Sequence, residues 1–117
     1  MLKKNSPARH GLNIIIVGCG KVGTTLVQQL CKVGHKITIV DKDPSTVQEL
    51  TNLYDIMGII GNGASYSVQI EAGISNADLF IAVTASDELN LLCCTIAKRV
   101  GDCSAIARVR TPDYSKE

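Results

Sequence analysis

The chain has 117 residues, enough for one domain. Its 12 Lys plus Arg stand against 11 Asp plus Glu, a net charge of +1, which gives no basis for a nucleic-acid surface. Hydrophobic residues make up 45% and aromatics 3%, so the core must be built from Ile, Val, Leu and Ala, as in parallel strands covered by helices, and no apolar run is long enough to span a membrane.

Residues 1–12 are basic and polar and are expected to be a flexible lead-in. The apolar run that follows is too short for a signal-peptide core. Strand one is expected at 13–17. It feeds directly into Gly18-Cys19-Gly20-Lys21-Val22-Gly23, a G-x-G-x-x-G turn, and then into a helix over 23–33 that Gly34 stops. Strand two follows at 35–40, rich in branched residues, with Asp41 at its end. Asp43 is a good N-cap and Pro44 a good first residue for a second helix, whose buried side holds Val47, Leu50 and Leu53. Strand three at 56–60 ends at Gly61-Asn62-Gly63, and a short helix is expected over 67–72. Strand four at 79–83 leads through Thr84-Ala85-Ser86 into the longest helix, 87–100, with Leu91, Leu92, Thr95 and Ile96 toward its core side. Strand five is expected at 105–109. Pro112 breaks the pattern, and 113–117 would begin a linker to a C-terminal domain absent from this chain, leaving 13–112 as the folded domain.

A β-α-β-α-β-α-β-α-β chain with right-handed crossovers makes a parallel sheet with helices on both faces. The expected architecture is a Rossmann-like α/β three-layer sandwich with strand order 3-2-1-4-5, with room for a sixth strand contributed near the C-terminus. Its ligand site lies outside the carboxyl ends of strands one, two and four, where the order reverses.

That is where the special residues fall. Gly18 allows the tight turn, Gly20 leaves room for a pyrophosphate, and Gly23 lets the first helix lie close on the sheet. Amides at the start of that helix would face the phosphates. Lys21 either adds charge there or is an ordinary exposed lysine. Asp41 is placed to accept the hydroxyls of an adenosine ribose, which favours NAD, NADH or an adenine nucleotide over NADP. Asn62 either meets the adenine edge or holds its own turn. Thr84 and Ala85 face the ligand across the crevice. Arg108 and Arg110 share a face of strand five and could reach a phosphate or the acidic helix start Asp87-Glu88.

The five cysteines, Cys19, Cys31, Cys93, Cys94 and Cys103, form no C-x-x-C pair. They are expected to be small buried hydrophobes in a reducing compartment, with Cys19 the one candidate for redox sensing. No catalytic set emerges, and a dehydrogenase would need a further segment to hold substrate and a proton donor. The chain is therefore expected not to be an enzyme. The rivals are an oxidoreductase fragment lacking its catalytic domain and an interaction module with a degenerate pocket.

From Asn13 to Tyr114 the sequence resembles the N-terminal nucleotide-binding domain of bacterial and archaeal potassium-uptake and potassium-channel regulators, the TrkA-N, RCK or KTN domain. The resembling pieces are Gly18 to Gly23, Asp41-Lys42-Asp43, Gly61-Asn62-Gly63, the run from Ala77 to Glu88 with Asn90, and Arg108-Val109-Arg110. The spacing Thr-x-x-Asp-Glu-x-Asn over 84–90 is the most specific of them. The resemblance implies nucleotide contacts at Gly18, Cys19, Gly20, Lys21, Val22, Asp41, Thr84, Ala85 and Arg108, with Asn62 where many relatives carry an Asp or similar polar residue. It implies NAD or NADH, or ATP, ADP or AMP, as ligand. It also implies a homodimer or larger ring, a membrane-embedded potassium transporter or channel subunit as partner, and a cytoplasmic place at the inner face of the membrane.

Overall fold

The computed structural model describes residues 11–110; the expectations for the lead-in before Gly11, for the linker and for a sixth strand near the C-terminus lie outside the described residues. The elements in order are β1 (Asn13–Val17), α1 (Lys21–Lys32), β2 (Lys36–Asp41), α2 (Pro44–Leu53), β3 (Met57–Ile60), α3 (Tyr66–Glu71), a 3-10 turn (Ile74–Asn76), β4 (Leu79–Ala82), α4 (Asp87–Val100) and β5 (Ser104–Ala107). All strand pairings are parallel, and the order is β3-β2-β1-β4-β5, as the alternation of strands and helices predicts. Strand β1 is central. Its Ile14 pairs with Ile37 of β2 on one side and with Leu79 of β4 on the other.

The alternation of side chains along β1 divides the core into two layers. Ile14 and Ile16 face α1 and α2, where they meet Val27, Ile37, Ile39, Val47, Leu50 and Ile81. Ile15 and Val17 face the other helices and meet Val40, Ile74, Phe80, Ala82, Cys93 and Ala97. Both faces of β1 are buried, which is why it reads as an unbroken apolar run. Each buried Ile or Val contributes about 1.5–3 kcal/mol relative to exposure.

Local signals explain the boundaries. Asp43 caps α2 by accepting from Ser45 N–H at 3.2 Å, with Pro44 at the first position. Gly34, at φ +88°, turns the chain after α1, and Gly73, at φ +90°, does so after α3. Helix α1 starts at Lys21, earlier than expected, because Gly20 itself serves as its N-cap.

The expected face of α4 requires correction. Leu91 and Leu92 are exposed, Thr95 bonds back to the carbonyl of Leu91, and Ile96 is only half-buried. The face toward the sheet is Asp87, Asn90, Cys93, Cys94 and Ala97. These are small or polar residues at helical spacing, and their size lets the helix axis sit close to β4 and β5. Leu53 of α2 is likewise exposed rather than buried.

Candidate functional site

A cavity of about 390 Å³ opens at the carboxyl ends of β1, β2 and β4, at the reversal of strand order. Three connections and one strand end wall it. The β1–α1 turn supplies Gly18, Cys19 and Gly20, the end of β2 supplies Asp41 and Lys42, the turn after β3 supplies Asn62, and the turn after β4 supplies Thr84, Ala85 and Ser86. Asp41 and Lys42 are the charged side chains of this lining. Lys21 and Val22, in the first turn of α1, are exposed and stand outside the lining, as does the half-buried Arg108.

The three glycines of the turn differ in what a side chain would meet. Gly18 has φ +98°, and a Cβ there would lie 2.8 Å from Thr84 N, so β1 turns hard against the β4 loop. At Gly23 a Cβ would lie 1.8 Å from Gly18 O, so the helix can rest on the turn only with glycine at that point. At Gly20 a Cβ would meet no atom within 4 Å. The protein itself therefore does not require glycine at 20, yet the residue lines the cavity, as a surface shaped for close approach of a ligand does.

Helix α1 differs from its neighbours at its start. Asp43, Ser65 and Ser86 cap α2, α3 and α4 with side-chain oxygens, whereas Gly20 gives α1 no side-chain cap. The first N–H groups of α1 thus lie beside the cavity with the positive end of the helix dipole.

Asp41 is fixed by backbone donors. Its Oδ2 accepts from Cys19 N–H at 2.7 Å and its Oδ1 from Asp43 N–H at 2.9 Å. The carboxylate thereby ties the glycine turn to the end of β2 while still facing the cavity. Burial, then the Asp41 charge, pushes the Cys19 thiol up to about 12. It stays protonated at neutral pH, which removes the thiolate that redox sensing requires. Asn62 holds its own turn: Oδ1 accepts from Ala64 N–H at 2.9 Å. Gly63 is needed because a Cβ would press on the Val17 side chain at 2.4 Å.

On the β4 side the fully buried Asn90 holds the loop, its Oδ1 accepting from Thr84 N–H at 2.8 Å and from Thr84 Oγ1 at 2.7 Å. Asn90 belongs to the Thr-x-x-Asp-Glu-x-Asn spacing, and its place six residues after Thr84 is the sequence signal for this role. Of the two arginines that follow β5, Arg110 is the one that reaches the acidic helix start, its Nε 3.8 Å from Asp87 Oδ1. Its guanidinium also donates to Ala85 O. Among the described residues no group of three potential metal ligands is gathered.

The model of the TrkA-N domain family matches residues 14–117. The chain belongs to the TrkA-N domain family. Over 103 residues this TrkA-N domain is 41% identical to a Trk system potassium uptake protein TrkA homolog of Archaeoglobus fulgidus, covering 88% of the chain and 23% of the relative. Over 107 residues it is 38% identical to the Trk system potassium uptake protein TrkA of Haemophilus influenzae, covering 91% of the chain and 23% of that protein. The chain thus spans about a quarter of the length of these relatives.

Among solved structures, its fold is similar to the NAD(P)-binding domain of an exopolyphosphatase-related protein from Archaeoglobus fulgidus. The TM-score is 0.79 at 24% identity, over 90% of this chain and 78% of that one. The GsuK channel bound to NAD gives 0.78 at 20% identity, over 91% and 19%. The Kef CTD of Shewanella denitrificans in AMP-bound form gives 0.76 at 20% identity, over 87% and 62%.

Proposed function

We propose that this TrkA-N domain is the nucleotide-sensing part of a potassium-transport regulator and not an enzyme. In this reading it binds NAD or NADH, or an adenine nucleotide such as ATP, ADP or AMP, in the cavity at the sheet reversal. The observation that carries the reading is Gly20, which lines the cavity although the packing of the fold does not require glycine there. The uncapped start of α1 supports phosphate binding through the amides of Lys21 and Val22. Asp41 is the ribose acceptor, with Cys19 lending its backbone, and Thr84 and Ala85 lie against the ligand from the other side. Asn62 borders the adenine end. The half-buried Arg108 contacts a phosphate in this reading, as the family likeness implies.

The relatives named for Trk potassium uptake support a membrane-embedded potassium transporter or channel subunit as partner, with this domain on the cytoplasmic side. Residues 13–112 would form the domain and 113–117 the start of a linker. Pairing into a homodimer, or a ring of dimers, is supported by Leu91 and Leu92 of α4 and Ile106 of β5, exposed apolar residues that the core does not use. Measuring the mass in solution tests this, and a monomer at all concentrations would remove it.

Titration calorimetry of the chain with NADH, NAD, ATP, ADP, AMP and NADPH tests the sensing claim. At least one of the first five is expected to bind. NADPH is expected to bind about tenfold or more weakly than NADH, because its 2′-phosphate meets the Asp41 charge. Silence from all of them would sink the proposal.

A further inference from the structure

The cavity wall formed by residues 84–86 is bonded, along two routes, to the end of β5. The first route runs through Asn90. Besides accepting from Thr84, its side chain donates from Nδ2 to Thr84 O at 3.1 Å and to Arg108 O at 2.9 Å. Two donors and two acceptor sites are all that an amide side chain has, and Asn90 uses them all in holding the loop and the strand end together. The second route runs through Asp87 and Arg110. Asp87, only 5% exposed, accepts from Arg110 N–H at 3.1 Å and pairs with its Nε. The Arg110 guanidinium reaches on to Ala85 O, a lining residue of the cavity.

Loop and strand end are therefore one bonded unit. The loop can move away from the strand end only by breaking both the Ala85–Arg110 bond and the Thr84–Asn90–Arg108 bridge, and the bonds of the fully buried Asn90 are costly to leave unmade. We propose that Asn90 and the Asp87–Arg110 pair are positioning residues that join the cavity loop to the chain leaving β5, so that a nucleotide resting on residues 84–86 also restrains residues 108–110. This rests on the nucleotide-binding proposal above. A bound nucleotide limits the excursions of the loop, and the same bonds pass that restraint to Arg108 and Arg110. Arg110 supplies the outer link. Its side chain is 53% exposed, so it can be changed without opening the core.

Amide hydrogen exchange followed by NMR tests the link, since the N–H of Arg110 is itself the donor to Asp87. The chain is compared alone and with saturating NADH or, separately, AMP, binding being measured by calorimetry on the same samples. Binding is expected to slow exchange both at residues 84–86 and at Arg110, the latter about tenfold. Arg110→Gln is expected to keep nucleotide affinity within about fivefold, because Arg110 stands outside the cavity lining and Asp87 keeps its bond to the residue-110 N–H. It should nevertheless lose part of the ligand-induced slowing at residue 110, the share carried by the guanidinium rather than by the Asn90 bridge, and Arg110→Lys should restore some of it. Slowing confined to residues 84–86, or full slowing at residue 110 in Arg110→Gln, would overturn the proposal while leaving nucleotide binding intact. No binding of either nucleotide would overturn both.

Discussion

Two glycines of one motif separate ligand from fold. Gly20→Ala adds a methyl group where the protein has no neighbouring atom, at a backbone φ of −75° that alanine accepts. Its unfolding free energy should change by less than about 0.5 kcal/mol, while nucleotide affinity falls about tenfold or more. Gly23→Ala places the same methyl group against Gly18 O. It should cost about 1–3 kcal/mol or more in urea unfolding, since helix and turn must move apart. Equal effects of the two changes on stability would contradict the assignment of Gly20 to the ligand. At this scale the motif was legible in the sequence, because glycine spacing and Asp41 carry their own geometry. What the sequence does not carry is which partner each group already has. Arg110 rather than Arg108 meets the acidic helix start, beyond Ala107, where β5 ends and strand alternation no longer fixes side-chain direction.

Helix α4 shows what hydrophobicity alone misses at the level of an element. Leu91 and Leu92 are two of its large apolar side chains and are exposed, whereas Asn90, Cys93, Cys94 and Ala97 face the sheet. Close packing sets the phase: small residues admit the sheet, and Asn90 finds four partners only when turned inward. The 90-93-94-97 spacing was visible, but its members are polar or weakly apolar, so the leucines dominated. Leu92→Ala, in the monomeric chain, is expected to cost less than about 0.5 kcal/mol. Ala97→Leu is expected to cost about 1–3 kcal/mol through overpacking, measured by urea unfolding. The reverse ranking would restore the leucine face. The start of the same helix was easier to read. Ser86 caps it by accepting from Leu89 N–H at 3.1 Å, and Ser86→Ala should lower stability by about 1 kcal/mol in thermal unfolding.

The whole molecule follows from connectivity, which the sequence displays fully. Five apolar strands joined by helices leave a parallel sheet as the economical solution, and right-handed crossovers accommodate the order β3-β2-β1-β4-β5. Cysteine burial gives the assembled domain an alkaline limit. Burial pushes Cys19 up to about 12 and Cys93 up to about 11, from an ordinary value of 9.0. Unfolded thiols therefore release their protons first. Stability is fully present below about pH 9 and falls as pH rises toward those values, by up to about 1.4 kcal/mol per pH unit for each thiol. Urea unfolding at pH 8 and pH 10.5 should show the decline, and Cys93→Ala should show less of it. An identical decline in the variant would remove the thiol as cause.

The double anchorage of Asp41 has a kinetic consequence. With Cys19 N–H and Asp43 N–H holding its two oxygens, the carboxylate and the glycine turn stand in register before any ligand arrives. In the proposed reading a nucleotide would meet this surface already formed, and capture would proceed at a rate proportional to its concentration, with no prior opening step to set a ceiling. The domain would then follow its ligand's concentration promptly, and a slow phase in the response would arise beyond the pocket.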